Sequence, residues 1–349
     1  MLSRVAESLF WMARSLERAE DLARLLAVTF NAQLEAQHQI GAGSWASVVV
    51  AAGDEALFAE AFGDPTAETV AEFVLWHPLN PSSVIASVTR ARENARSVRE
   101  QVSSEMWERL NRFYFRLREL DRAETIRNPN EVSIIVREAT QAFEGVTAAT
   151  MAHGEGYEFI QLGLHVERAD KTMRILGARH GVLAHLPPGS PEMSLELITL
   201  LRSCSAFEPF RRVQGGTLEV APVLEYLLLD RQFPRAVLFC LGEALRSLDR
   251  ISDGAWRRPE ARADRPDGAR RVLGRLCADL EFLEADDLVG AEMDDLLGDL
   301  LGRLNEAGDE IARTYFSTQV IIDGGHPRQH QQQQQQQGRD QRPGPRVTA

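Results

Sequence analysis

Glutamate and arginine stand side by side at two matching places in this chain. One is Leu16-Glu17-Arg18-Ala19-Glu20; the other, with each residue number raised by 150, is Val166-Glu167-Arg168-Ala169-Asp170. A carboxylate can move a proton, and a guanidinium fork can clamp a carboxylate or a phosphate in bidentate fashion. At about 100° per residue, Glu17, Glu20, Asp21 and Arg24 share one helical stripe with Arg14. Glu167, Asp170, Lys171 and Arg174 share another, while Arg18 and Arg168 fall at the border of the apolar arc. Toward the N-terminus each stripe turns apolar, through Phe10 and Ala13 in one and Ile160 and Gly163 in the other. The charged patches therefore continue apolar seams and are expected to be partly buried.

The candidate functional surface is Glu17, Arg18, Glu20, Arg24, Glu167, Arg168, Asp170 and Arg174. Three chemistries fit these residue types. Ion pairs along or between helices would fix register. A polar cleft shared by both helices would bind an anion. A dinuclear metal site would use the carboxylates. No catalytic role, metal or cofactor is assigned. His165 falls on an apolar arc and is expected in the core, and Gly215-Gly216 is a turn rather than a phosphate loop.

The elements that carry these residues read as helices throughout. Val5, Leu9, Met12, Leu16, Ala19, Ala23 and Leu26 recur at steps of three and four, which makes residues 1–31 a helix. Tyr157–His180 carries the second motif. Further helices are expected at 44–62, 67–76, after the Ser82-Ser83 cap, at 105–127, 131–151, after Ser190-Pro191-Glu192, at 218–229, 235–251, 269–285 and 291–322. Residues 252–268 read as a surface loop. Val48-Val49-Val50 is β-like but too short to overturn its helical context. The expected fold class is all-α.

The shift by 150 extends beyond the motifs. Arg24 meets Arg174, Leu26 meets Leu176 and Ser44 meets Ser194. With a three-residue insertion, Pro81 meets Pro234, and Val84 and Ala91 meet Val237 and Ala244. This order of matches points to an internally duplicated helical bundle with two pseudo-equivalent halves, 1–151 and 152–322. Residues 323–349 hold seven consecutive glutamines and little apolar material, and are expected to be a disordered tail.

Composition narrows the function classes. The net charge of −12 argues against broad binding to nucleic acid. Cys204, Cys240 and Cys277 are widely spaced and odd in number, so buried free thiols and a reducing cytoplasm are expected. Arg4, Glu7, Arg14 and Glu17 argue against a signal peptide, and the lack of a long apolar run against a membrane span.

Several motifs together carry a family resemblance. They are Met1-Leu2-Ser3-Arg4-Val5-Ala6-Glu7 with Trp11-Met12, Leu16-Glu17-Arg18-Ala19-Glu20, Asn80-Pro81-Ser82-Ser83, Ala91-Arg92-Glu93-Asn94-Ala95-Arg96 and Ser104-Glu105-Met106-Trp107. Gln161-Leu162-Gly163 leading into Glu167-Arg168-Ala169-Asp170, and Arg202-Ser203-Cys204-Ser205-Ala206-Phe207, complete the set. Over residues 1–322 the chain resembles the bacterial Alpha-E family, with Asp170 in place of the second motif glutamate. The resemblance implies association with circularly permuted ATP-grasp ligases and transglutaminase-like proteins, and so a role in making or modifying peptides.

Three functional readings stand on these grounds. The first is a helical accessory or binding module that works with an ATP-grasp-type amide ligase and has no catalytic activity of its own. The second is an enzyme acting on a peptide or amino acid, with Glu17 and Glu167 as acid and base and Arg18 and Arg168 as anion clamps. The third is a scaffold in which the motifs only hold the halves together.

Overall fold

A computed structural model describes residues 1–35, 43–215, 218–253, 268–283, 288 and 293–316. They fall in one compact unit spanning Met1–Ser317. Among the described residues all regular structure is helical.

Two long helices form the centre. Helix α1 (Ser3–Glu35) has 33 residues and α9 (Glu155–Leu183) has 29, which makes them about 50 and 44 Å long at 1.5 Å per residue. Both are buried on every face at mid-length: each residue from Ala19 to Ala27 and from Leu162 to Met173 is buried. The two helices pack along each other. Gly163 lets them approach closely, because a Cβ at that position would overlap the carbonyl oxygen of Phe10.

The outer helices pack around this pair. In chain order they are α2 (Gly43–Ala52), α3 (Glu55–Phe62), α4 (Ala67–Leu75), α5 (Val84–Ser97), α6 (Ser104–Arg118), α7 (Arg122–Arg127) and α8 (Asn130–Thr150). After α9 come α10 (Pro191–Ser203), α11 (Phe207–Gln214), α12 (Val220–Leu229), α13 (Val237–Asp253), α14 (Gly268–Glu281) and α15 (Met293–Ile311). The last runs into a π-helical turn, Ala312–Phe316. Helices α5 and α8 cover α1, and α13 and α15 cover α9.

Local chemistry sets the boundaries. Ser83, Ser103 and Ser190 accept backbone N–H bonds from Ala86, Met106 and Met193, closing the first turns of α5, α6 and α10. Pro191 occupies the opening position of α10, as the Ser-Pro-Glu order predicts. Three expected helices are each split; the one opened by Ser190, expected to run to about Arg212, is divided into α10 and α11 around Ser205, at φ +53°. Gly53, at φ +88°, divides 44–62 into α2 and α3. Asp121 divides 105–127 by accepting from the N–H groups of Ala123 and Glu124, which starts α7. Val48–Val50 is helical, as its context predicts. No helix among the described residues is long and apolar enough to cross a membrane. Most of the expected 252–268 loop, the end of the expected 291–322 helix and the 323–349 tail lie outside the described residues.

Candidate functional site

The two Glu-Arg motifs meet face to face. Arg168 grips Glu17 with two hydrogen bonds, Nε to Oε1 at 2.8 Å and Nη2 to Oε2 at 2.9 Å. Arg18 grips Glu167 in the same way, Nε to Oε1 at 2.6 Å and Nη2 to Oε2 at 3.0 Å. Each motif thus supplies the glutamate of one bidentate pair and the arginine of the other. Helical periodicity places Glu17 and Arg18 on adjacent faces of α1, so one helix engages α9 through both.

Around Glu17 the acids are filled by arginines. Arg235, just before α13, donates to Glu17 Oε1 at 2.7 Å, to Asp21 Oδ1 at 2.6 Å and to Glu20. Arg24 bridges Glu20 and Asp21 and donates Nε to the Ser203 carbonyl at 2.7 Å. Burial pushes Glu17 upward, but Arg168 and Arg235 outweigh it and hold the carboxyl at about 2. Glu20 is likewise lowered against burial by Arg235 and Arg24. Asp21 goes the other way. Burial raises it, with Glu17 and Glu20 adding like charge, to about 7, and its Oδ2 has no hydrogen-bond partner. Oxygens of Glu17, Glu20 and Asp21 lie within 4.8 Å of one another, close enough to share a metal ion. The Arg235 guanidinium instead meets all three acids.

The surroundings of Glu167 are more open. Glu167 is fully buried and carries Arg14 as well, at 2.7 Å from Arg14 Nε. Burial raises its pKa, and Arg18 and Arg14 override that and drive it far below the usual carboxylate range. Arg174 donates Nε to Asp170 at 2.9 Å. Lys171 lies with its side chain 5% exposed and its Nζ 3.7 Å from Asp170 Oδ2, without a hydrogen bond among the described residues. Burial lowers its pKa. These groups open onto a cavity of about 470 Å³, within the size range of small-ligand sites. Arg14, Arg18, Lys171 and Arg174 line its polar side, and Phe10, Trp11, Val166, Leu304 and Phe316 its apolar side. Arg14 lies over the Trp11 ring, 4.9 Å from its centroid.

All eight candidate residues from the sequence therefore sit at one junction, and they pair with one another. Neither Glu17 nor Glu167 is built for proton transfer. Both keep their charge through neutral pH, and in each both oxygens are taken by arginine. Arg235 and Lys171 complete the junction. Arg235 could have been found by pairing Pro81 with Pro234, which sets it against Ser82. Fully buried Arg179 is a further tie, donating to Thr29 at 2.6 Å, Ser44 at 2.9 Å and Glu196 at 3.0 Å. His165 is a core histidine lowered to about 3 by burial and by Arg168. The three cysteines are buried and free.

The Glu-Arg pairs, now placed in an all-helical frame, agree with a family described as a predicted alpha-helical domain with a conserved ER motif, whose model matches residues 1–316. The chain belongs to the Alpha-E family. It is similar to uncharacterised proteins of Mycobacterium bovis and Mycobacterium tuberculosis, 29% identical over 349 residues, covering 92% of this chain and 37% of each relative. The chain thus spans well under half the length of these relatives. No solved structure matches it.

Proposed function

We infer that this Alpha-E chain is a helical binding module without catalytic chemistry of its own, and that its ligand-facing site is the cavity beside Glu167. It works with an ATP-grasp-type amide ligase in bacterial peptide synthesis or modification, with a transglutaminase-like protein as a second candidate partner. The observation that carries the binding reading is the cavity of about 470 Å³ with Lys171 in its wall, whose ammonium makes no hydrogen bond among the described residues. The motif resemblance supports the choice of partner. The extra length of the mycobacterial relatives fits a domain that acts as part of a larger machinery. Against the enzyme reading stand the locked, ionised states of Glu17 and Glu167.

Duplication is part of the same reading. Helices α9 to α13 follow one another with nearly the spacing of α1 to α5. Glu17 holds Arg168 while Arg18 holds Glu167, the exchange of partners expected when two equivalent units pack about a two-fold axis. The Glu-Arg motifs then serve as the lock between halves, and recognition belongs to the cavity next to it.

The test uses the purified full chain and a circularly permuted ATP-grasp-type ligase of the kind that the motif resemblance points to. The expected result is a stable complex and a ligase rate that depends on the chain, with the rate effect lost in Lys171→Met. A ligase that neither binds the chain nor changes its rate would overturn the partner assignment.

A further inference from the structure

The two halves of the junction differ in where their charges sit. Under the offset of 150, Asp21 corresponds to Lys171. Under the offset of 153 set by Pro81 and Pro234, Arg235 corresponds to Ser82. Around Glu17, then, an aspartate on the central helix meets an arginine that reaches in from the segment before α13. Around Glu167, the central helix supplies a lysine, and the matching segment before α5 supplies only a serine. No long cation reaches in from that segment, and Ser82 lines the cavity; the second guanidinium on Glu167 comes instead from Arg14 on the facing helix, whose counterpart under the offset of 150 is Leu164. The serine cannot fill the space, and the lysine would repel an arginine placed in it.

From this exchange and the cavity beside it, we propose that the Alpha-E cavity binds a small carboxylate ligand with an apolar body, at the position that Arg235 occupies in the other half. This rests on the binding reading above and names its ligand class. Three observations argue for it. Lys171 is nine-tenths buried and, beyond a loose ion pair with Asp170 at 3.7 Å, makes no hydrogen bond among the described residues, so a ligand oxygen would supply the bond it lacks. Among the described residues Arg14 and Arg174 each use only Nε on a protein carboxylate, which leaves their terminal nitrogens for an anion. Phe10, Trp11, Val166 and Phe316 also line the cavity, which suits an apolar body rather than a bare ion.

Charge in the lining limits the ligand. Arg14, Arg18, Lys171 and Arg174 face Asp54, Asp170 and Asp309, and Arg14 and Arg18 are already shared with Glu167. The surplus of positive charge is small, which suits a singly charged carboxylate better than a phosphate dianion.

Calorimetric titration of the full chain tests this with N-acetyl-leucine, N-acetyl-leucinamide and inorganic phosphate. N-acetyl-leucine is expected to bind with Kd at or below roughly 1 mM, and its neutral amide at least about tenfold more weakly. The double variant Ser82→Arg/Lys171→Asp rebuilds the arginine-filled arrangement and should lose binding by about tenfold or more while circular dichroism remains helical. Lys171→Met is the second variant, should the double one fail to fold, and carries the same expectation. Equal binding of acid and amide, binding of phosphate in preference to the acid, or unchanged affinity in a folded variant would overturn the proposal. No ligase is present, so this result is independent of the partner assignment.

Discussion

Glu167→Gln is the sharpest perturbation of the lock. The native carboxylate is wholly buried and holds two guanidiniums, with Arg18 and Arg14 only 16% and 14% exposed. The amide keeps the shape and one acceptor but removes the charge, so two nearly buried cations lose their counter-ion. Breaking one side of a buried pair costs about 3–5 kcal/mol, and the retained amide acceptor places this variant near the lower end, about 3 kcal/mol. For a chain of this size, with an unfolding entropy of about 0.7 kcal/mol/K, that corresponds to a Tm fall of roughly 4–5 °C. Arg18→Met should cost less, about 2 kcal/mol, because Arg14 still pairs with Glu167. The double variant should cost less than the sum of the two, by about 2 kcal/mol. Urea unfolding followed by circular dichroism at 222 nm supplies the three free energies. A coupling below about 0.5 kcal/mol, the level of an exposed pair, would refute the buried-lock argument.

Gly163→Ala should destabilise by about 2 kcal/mol net. Backbone overpacking near 3 kcal/mol outweighs the helix-propensity gain of about 1 kcal/mol, and denaturant titration reads the sign. The pH dependence of stability should separate two carboxyls. Asp21 rises from 3.8 to about 7 on folding, so the native state keeps a proton that the unfolded chain releases, and stability falls as pH climbs through that window. Glu17 falls from 4.5 to about 2, so its contribution is present above 4.5 and is lost as pH drops toward 2. Asp21→Asn should abolish the first slope and keep the second in urea titrations from pH 3 to 8. Burial raises Cys204 and Cys240 to about 12 and Cys277 to about 11, so a thiol reagent at pH 7.5 should label them only at the rate of unfolding.

The helices were legible because their signals are local. Serine caps and three-and-four spacing act within a few residues, and α1, α5, α9 and the start of α10 follow them closely. The splits at Gly53 and Asp121 were harder to read, since the apolar spacing continues across both. The charged stripes illustrate a different limit. A helical wheel shows that Glu17, Glu20, Asp21 and Arg24 share a face, but not that Arg235 covers it from 214 residues beyond Asp21. Lys171 reads as one more charge on a stripe. Its lack of a hydrogen bond among the described residues becomes visible only when the space that Ser82 leaves beside it is known.

The account divides the junction into a lock, which holds the fold, and a cavity, which binds. Thermal stability and ligase rate per folded molecule, measured side by side for Glu17→Gln and Lys171→Met, test that division most directly. Glu17→Gln should lower Tm and leave the rate per folded molecule unchanged, while Lys171→Met should keep or raise Tm and lose the rate effect. The reverse pattern, a stable Glu17→Gln with the rate effect lost and a fully active Lys171→Met, would contradict it.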